Sequence, residues 1–203
     1  AELNLLDGVT ALGASNVTGL SDALVETNSM YIGNNPSSTT DDAEYNVAVG
    51  TTALDAVTTG DKNTAIGYNA LSGNTTGIYN NAIGYNSLMS NTTGTDNTAL
   101  GSAALSANTT GDKNVGIGNS TLDANTTGGY NVAVGHSALT SNTTATFNTA
   151  IGSNALLANT TGSSNTAVAF AALGSNTTGD YNVGVGPSTL NANTTGTRNI
   201  AIG

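Results

Sequence analysis

Residues 63–79 read Asn-Thr-Ala-Ile-Gly-Tyr-Asn-Ala-Leu-Ser-Gly-Asn-Thr-Thr-Gly-Ile-Tyr, and this 17-residue unit recurs along most of the chain. We number its positions from 1 to 17, starting at the first Asn. Position 1 is Asn in ten consecutive copies, with no insertion or deletion between them, and such fixed phasing is typical of stacked structural repeats. The position-1 residues are Asn46, Asn63, Asn80, Asn97, Asn114, Asn131, Asn148, Asn165, Asn182 and Asn199.

The rest of the unit predicts short strands separated by turns. Positions 2 to 4, such as Thr64-Ala65-Ile66, are rich in β-branched residues, and Gly67 follows them. Asn-Thr-Thr-Gly at positions 12 to 15, as in 74–77, has the composition of a turn. A helix would carry a penalty of about 1 kcal/mol for each Gly in its interior. We therefore predict an all-β fold, a parallel β-solenoid with one repeat per coil.

Two columns of identical residues are expected to run along the solenoid. Side chains at position 1 are predicted to form a structural ladder of Asn amides, as in other stacked β structures. Leu at position 9 is predicted to form the core ladder. The position-9 residues are Leu54, Leu71, Leu88, Leu105, Leu122, Leu139, Leu156, Leu173 and Leu190.

Positions 3 and 4 should face opposite ways, because neighbouring residues of a strand do so. We predict that Val, Ile or Leu at position 4 fills the inside of the coil together with the repeat Leu. Position 3 is always Ala or Gly, as at Ala65 and Gly116, which favours a close approach by another subunit. Since each coil offers few large apolar side chains, a closed homotrimer is predicted to bury this face.

The chain divides into three segments on this pattern. Residues 1–28 lack the unit and are predicted to form an N-terminal connector, with one capped helical turn over residues 21–26. Residues 29–45 are a degenerate capping repeat, and residues 46–203 hold nine full repeats and a partial tenth. The chain starts at Ala1 and stops five residues into a repeat, so we expect a longer parent polypeptide.

Composition argues against several functional classes. The formal net charge of −10 among 203 residues disfavours nucleic acid as a partner, and no apolar run predicts membrane insertion. His136 is the only histidine, and Asp61, Asp96, Asp112 and Asp180 are scattered at variable positions, where they are interpreted as solvating charges. Weak calcium binding by these acids is a minor alternative. We predict no enzyme activity, no cofactor and no metal site.

Three surface features have alternative functional interpretations. Each Asn-Thr-Thr is formally an N-glycosylation acceptor, although a turn explains it without a glycan. Tyr68, Tyr79, Tyr85, Tyr130 and Tyr181 are candidate carbohydrate contacts or ordinary strand-edge residues. Regular Thr columns can bind ice, but an extended backbone turns Thr75 and Thr76 to opposite sides and leaves one outward column.

Two stretches resemble known fibre proteins. Asn63-Thr64-Ala65-Ile66-Gly67 and its copies resemble the repeats of trimeric autotransporter adhesin heads, a left-handed parallel β-roll trimer whose usual unit is shorter than 17 residues. The opening residues 1–10, AELNLLDGVT, are similar to a motif of tail fibres of marine, especially cyanobacterial, bacteriophages.

Together these resemblances imply a homotrimeric virion tail fibre that extends or presents host recognition. Its partners would be other virion fibre or baseplate proteins, with a host surface glycan as a further candidate. A bacterial cell-surface adhesin head is the alternative, and an ice-binding solenoid is a third hypothesis.

Overall fold

The computed structural model of the chain describes residues 23–26, 28–33 and 42–203. These residues form twelve short strands and no helix, which confirms the predicted all-β class. The strands are β1 (Ala23–Glu26), β2 (Ser29–Ile32), β3 (Val47–Val49), β4 (Thr64–Ile66), β5 (Asn81–Ile83), β6 (Thr98–Leu100), β7 (Val115–Ile117), β8 (Val132–Val134), β9 (Thr149–Ile151), β10 (Thr166–Val168), β11 (Val183–Val185) and β12 (Ile200–Ile202).

The strands form one sheet in chain order, and β2 to β12 are all parallel. Each strand pairs with the equivalent residues of the next repeat, so that Ala65 lies beside Ala82 and Ile66 beside Ile83. This pairing is the predicted β-solenoid, with one 17-residue repeat per coil. Ser29 and Tyr31 stand in the same register one coil before Asn46 and Ala48.

The predicted helical turn over residues 21–26 is wrong where the structure describes it. Ala23–Glu26 is β1, which pairs antiparallel with β2 and places Leu24 opposite Tyr31. Because β2 begins the parallel stack, its outer backbone groups need partners, and an added strand supplies them. A local helix would leave that edge open. The rest of the predicted connector, residues 1–22, lies outside the described residues, as do residues 27 and 34–41.

The coil turns by placing the same positions of every repeat in left-handed backbone conformations. Positions 7, 9 and 17 have φ near +55°, as at Ala103 (56°), Leu122 (51°) and Lys113 (57°). A left-handed conformation costs a non-glycine residue roughly 1–2 kcal/mol. Full burial of a Leu side chain returns about 1.5–3 kcal/mol, so the core position can hold Leu in this conformation.

The predicted directions of positions 3 and 4 are wrong. Ala65 and Ala82 at position 3 are fully buried beside the Leu column, whereas Ile66 and Ile83 at position 4 are 38% and 40% exposed. The interior is narrow because the position-9 Leu and the buried Asn side chains already occupy it. In the full repeats only a methyl group or a hydrogen fits at position 3, so the larger apolar residue points outward, whereas the entry coil buries Tyr31 at the equivalent place.

Positions 3 and 8 share the remaining interior volume. Position 8 is Ala or Ser where position 3 is Ala, but it is Thr in the two full repeats where position 3 is Gly. In one of these repeats a Cβ added at Gly116 would lie 3.1 Å from the Oγ1 atom of Thr121 and 3.5 Å from Leu105. The extra atoms of Thr121 therefore occupy the space of the missing Ala methyl group.

Changing the side-chain sizes at positions 3 and 8 tests whether the two positions share interior volume. We expect Gly116→Ala to lower the free energy of unfolding by about 1–3 kcal/mol, because it overfills a packed interior. Adding Thr121→Ala should recover most of that loss, and the double variant then has the combination found at Ala133 and Ala138. Denaturant unfolding of the wild type, both single variants and the double variant measures the coupling. Additive losses would contradict shared volume at these positions.

Candidate interaction face

The position-1 Asn side chains form a buried ladder along the rod. The Asn114 side chain is fully buried, and its Oδ1 atom accepts a hydrogen bond of 3.0 Å from the backbone N–H of Asn131 in the next coil. Its Nδ2 atom donates to the Gly128 carbonyl at 2.8 Å and to Asn97 Oδ1 at 3.2 Å. The same pattern of backbone bonds repeats at the other coils, so each Asn joins two coils and closes its own corner.

A second buried Asn ladder at position 12 is absent from the prediction, which treated these residues only as turns. Asn91 Nδ2 donates to Asn74 Oδ1 at 2.8 Å and to the Gly94 carbonyl at 3.0 Å. The column runs from Asn74 to Asn193, while the first full repeat has Val57 instead. Both hydrogens of Asn91 Nδ2 are thus donated inside the coil. Glycan attachment there would require the coil to open.

The Thr pair beside this ladder has two different roles. The backbone N–H groups of Thr75, Thr76 and Gly77 all donate to the Thr92 carbonyl, at 3.0, 3.2 and 3.3 Å. The Thr75 hydroxyl donates to the same oxygen at 3.1 Å, whereas Thr76 is exposed. Position 13 therefore holds the corner together, and position 14 alone provides an outward Thr column.

The outward side of the sheet is formed by an apolar column at position 4 and an uncharged column at position 2, and we call this surface the strand face. Position 4 is Val, Ile or Leu, and position 2 is Val, Thr, Asn or Ile, throughout β3 to β12. No charged residue occurs in either column of these ten strands. Leu100 and Ile151, in the middle of the rod, are 44% and 42% exposed. The strand face is continuous along the described repeats.

Two exposed columns border the strand face, and together they hold every aromatic residue except Tyr31 and every Lys and Arg of the chain. The position-17 column precedes each strand, and its members are Tyr45, Lys62, Tyr79, Asp96, Lys113, Tyr130, Phe147, Ser164, Tyr181 and Arg198. The position-6 column follows each strand, and its members are Thr51, Tyr68, Tyr85, Ser102, Asn119, His136, Ser153, Phe170 and Pro187. The eight aromatic side chains in the two columns are 46–59% exposed.

Neighbouring side chains of the position-17 column support one another along the rod. Lys62 Nζ lies 4.8 Å from the centre of the Tyr79 ring and donates to its hydroxyl at 2.9 Å. Lys113 contacts Tyr130 in the same way at 5.1 Å, and the Tyr130 ring stacks on Phe147 at 5.0 Å. The hydrogen bond to Tyr79 is the main cause that raises the pKa of Lys62 above its ordinary value. Both Lys side chains thus contact an aromatic ring of the next coil in the same column.

Acidic residues named in the sequence analysis separate into two sets. Asp112 and Asp180, at position 16, accept backbone N–H groups of Thr95 and Ser163 in the preceding coil, each at 2.7 Å. Asp61 accepts the N–H of Glu44 in the same way at 2.8 Å. Asp96 instead lies in the position-17 column. Each of the three position-16 carboxylates thus accepts a hydrogen bond from a backbone N–H group of the preceding coil.

The structure brings no catalytic or metal-binding cluster together in the described part of the chain. His136 is exposed in the position-6 column, and no group of three His, Cys, Asp or Glu side chains occurs among the described residues. Those residues also contain no helix long and apolar enough to cross a membrane. The strand face with its two bordering columns is the candidate functional site.

Comparisons with protein-family models, curated proteins and solved structures return no match to the chain.

Proposed function

We propose that the protein is a structural segment of a fibre, a rod that holds a recognition element at a distance. Ten coils stacked about 4.8 Å apart give a rod of roughly 50 Å. Two buried Asn ladders and the parallel sheet join each coil to the next along its length. This architecture supports a mechanical role because the coils from Asn74 onward are joined to their neighbours by both ladders as well as by the sheet.

The strand face is the observation that carries the proposal. Position 4 is apolar in all ten strands and position 2 carries no charge in any of them, although both lie on the outside of the coil. A long apolar surface of this kind favours burial against another protein surface. From Leu71 to Leu173 the repeat Leu is the one large apolar side chain of each coil that is fully buried, so association adds apolar burial that a single rod lacks. The proposed assembly is a homotrimer, with the strand faces turned toward a common axis.

The proposed setting is the tail fibre of a virion, with other fibre or baseplate proteins as partners. The resemblance of residues 1–10 to tail-fibre sequences supports this setting, and the acidic, repetitive rod suits an extended appendage. Electron microscopy of intact particles labelled with an antibody against residues 46–203 would locate the segment. Binding of the isolated rod itself to host cells or to a glycan array would favour a direct adhesin instead.

Light scattering of the full chain tests the assembly, and we expect three times the mass of one chain. Replacing Ile66, Leu100 and Ile151 together by Asp should give a monomer, since charges would then have to be buried at the interface. The matched control replaces the exposed Thr76, Thr110 and Thr161 by Asp and should remain trimeric. A wild-type monomer, or equal masses for the two triple variants, would contradict association through the strand face.

A further inference from the structure

The two columns that border the strand face differ in their chemistry. The position-17 column contains all three cations of the chain and one acid, Asp96. The position-6 column contains no Lys, Arg, Asp or Glu, and it presents aromatic rings, hydroxyls, an amide and an imidazole. Contact between the two columns would therefore place no Lys, Arg, Asp or Glu side chains of like charge together.

We propose that the position-17 column of one copy binds the position-6 column of the next copy, closing both edges of the strand face. This inference rests on the proposed function, because copies in a fibre segment run in the same direction. When parallel copies turn one face toward a common axis, the leading edge of one meets the trailing edge of its neighbour. The contact is heterologous, and a ring closes it.

Composition supports burial at these edges. Aromatic residues and Arg are enriched at protein interfaces, where they contribute much of the binding free energy. This chain has nine aromatic residues, and the eight outside the core all lie in the two columns. The exposed column at position 14 and the mostly half-buried columns at positions 10, 11 and 16 contain none. The aromatic side chains thus follow the edges of one face and avoid the rest of the surface.

Preorganisation supports the same conclusion. Tyr68 and Tyr85 of the position-6 column stack at 5.6 Å with an angle of 12° between their planes. Lys62 is held by Tyr79, and Arg198 lies 5.1 Å from the Tyr181 ring. Side chains already ordered by neighbouring coils lose less conformational freedom when a partner binds them.

Symmetry also sets the register of the contact. A closed ring relates its copies by rotation without translation along the axis, so the same coil of each copy lies at the same height. The position-17 residue that precedes a strand in one copy therefore lies beside the position-6 residue that follows the same strand in the neighbouring copy. At the level of β6 these are Asp96 and Ser102, which have no ring to displace.

Disulfide formation tests this contact, because the chain contains no Cys of its own. The variant Asp96→Cys/Ser102→Cys should oxidise to a covalent species of three chains on a non-reducing denaturing gel. A bond within one chain is not accessible, since the strand Thr98–Leu100 between the two sites by itself spans about 10 Å and a disulfide needs Cα atoms within about 7 Å. Asp96→Cys alone and Ser102→Cys alone should remain single chains on the gel.

A second pair checks the register and separates the possible failures. Asp96→Cys/Asn119→Cys shifts one partner by a coil and should form little covalent trimer. Preferential trapping of this pair would overturn the level register. A trimeric mass by light scattering without covalent trimer from Asp96→Cys/Ser102→Cys would overturn the edge contact while the proposed assembly stands. A monomeric mass for the unmodified chain would overturn both, and a product that stays at two chains with no free thiol left would exclude the threefold ring.

Discussion

Gly101→Ala is expected to lower the free energy of unfolding by about 3 kcal/mol or more, a large effect for a single methyl group. Gly101 stands at position 5, directly after β6, and has φ of +138°, a conformation that residues with a Cβ rarely adopt. A Cβ there would overlap the carbonyl oxygen of Gly118 and lie 2.6 Å from its carbonyl carbon. Both are backbone atoms of the next coil, so relief requires the coils to separate.

Thermal unfolding followed by circular dichroism, at equal chain concentration, measures this loss. Ala103→Gly is the matched control, since Ala103 has φ of 56° in the adjoining turn. Gly adopts this left-handed conformation without the steric cost that a Cβ imposes. We expect that variant to equal or exceed the wild type in stability. A change below about 0.5 kcal/mol for Gly101→Ala would show that the coil spacing adjusts to a methyl group, contrary to the close contact seen here.

Ala169 is the one residue at position 5 of a full repeat that is not Gly, so the opposite substitution can be made there. Ala169 has φ of 107°, whereas Gly118 and Gly152 have 132° and 133°. Ala169→Gly is therefore expected to stabilise the rod by about 1 kcal/mol, by removing backbone strain. Loss of stability on this change would mean that the Ala169 methyl group contributes packing that exceeds the strain.

The repeat period made most of the fold predictable from sequence. Because Asn and Leu recur every 17 residues without a gap, each strand had to lie beside its own copy, and the parallel order of β2 to β12 followed. Residues 21–26 have no copy elsewhere in the chain, so only local propensity was available there. Propensity favoured a helical turn, whereas β1 follows from the backbone groups of β2 that needed partners.

The prediction reversed the inward and outward positions of the strand, because it assumed that the larger apolar side chain at position 4 would be the buried one. A coil of 17 residues has little interior, and Leu105 with two Asn columns fills most of it. The pattern of Gly116 with Thr121, and of Gly184 with Thr189, was a sequence signal that position 3 shares space with position 8. Two positions can exchange volume in this way only if both face the same interior.

The candidate interaction face was partly visible in the sequence. Tyr68 and Tyr79 were recognised as outward or corner residues, but their two columns were not connected to an apolar strip. That connection depended on Ile66 pointing outward, which the prediction had reversed. Once position 4 faces solvent, positions 17, 2, 4 and 6 become neighbours on one surface. The separation of aromatic residues from all other exposed columns then supports the contact that we propose for this surface.

Asn114→Ala should also destabilise the rod strongly, by about 2–4 kcal/mol. The fully buried Asn114 side chain accepts the backbone N–H of Asn131 at 3.0 Å, and Ala leaves that donor without this acceptor. An unsatisfied buried donor costs about 1–3 kcal/mol. The Gly128 carbonyl keeps its bond from Asn125 Nδ2 at 2.9 Å, which limits the remaining loss.

The matched control is Asn191→Ala, which removes the same side chain from an exposed site outside the strand face and its two bordering columns. We expect that variant to change stability by less than about 0.5 kcal/mol. Amide hydrogen exchange gives a local measure beside thermal unfolding, because the Asn131 N–H should lose protection first in Asn114→Ala. Equal effects of the two substitutions would contradict a ladder that holds the coils together, since exposed and buried Asn would then contribute alike.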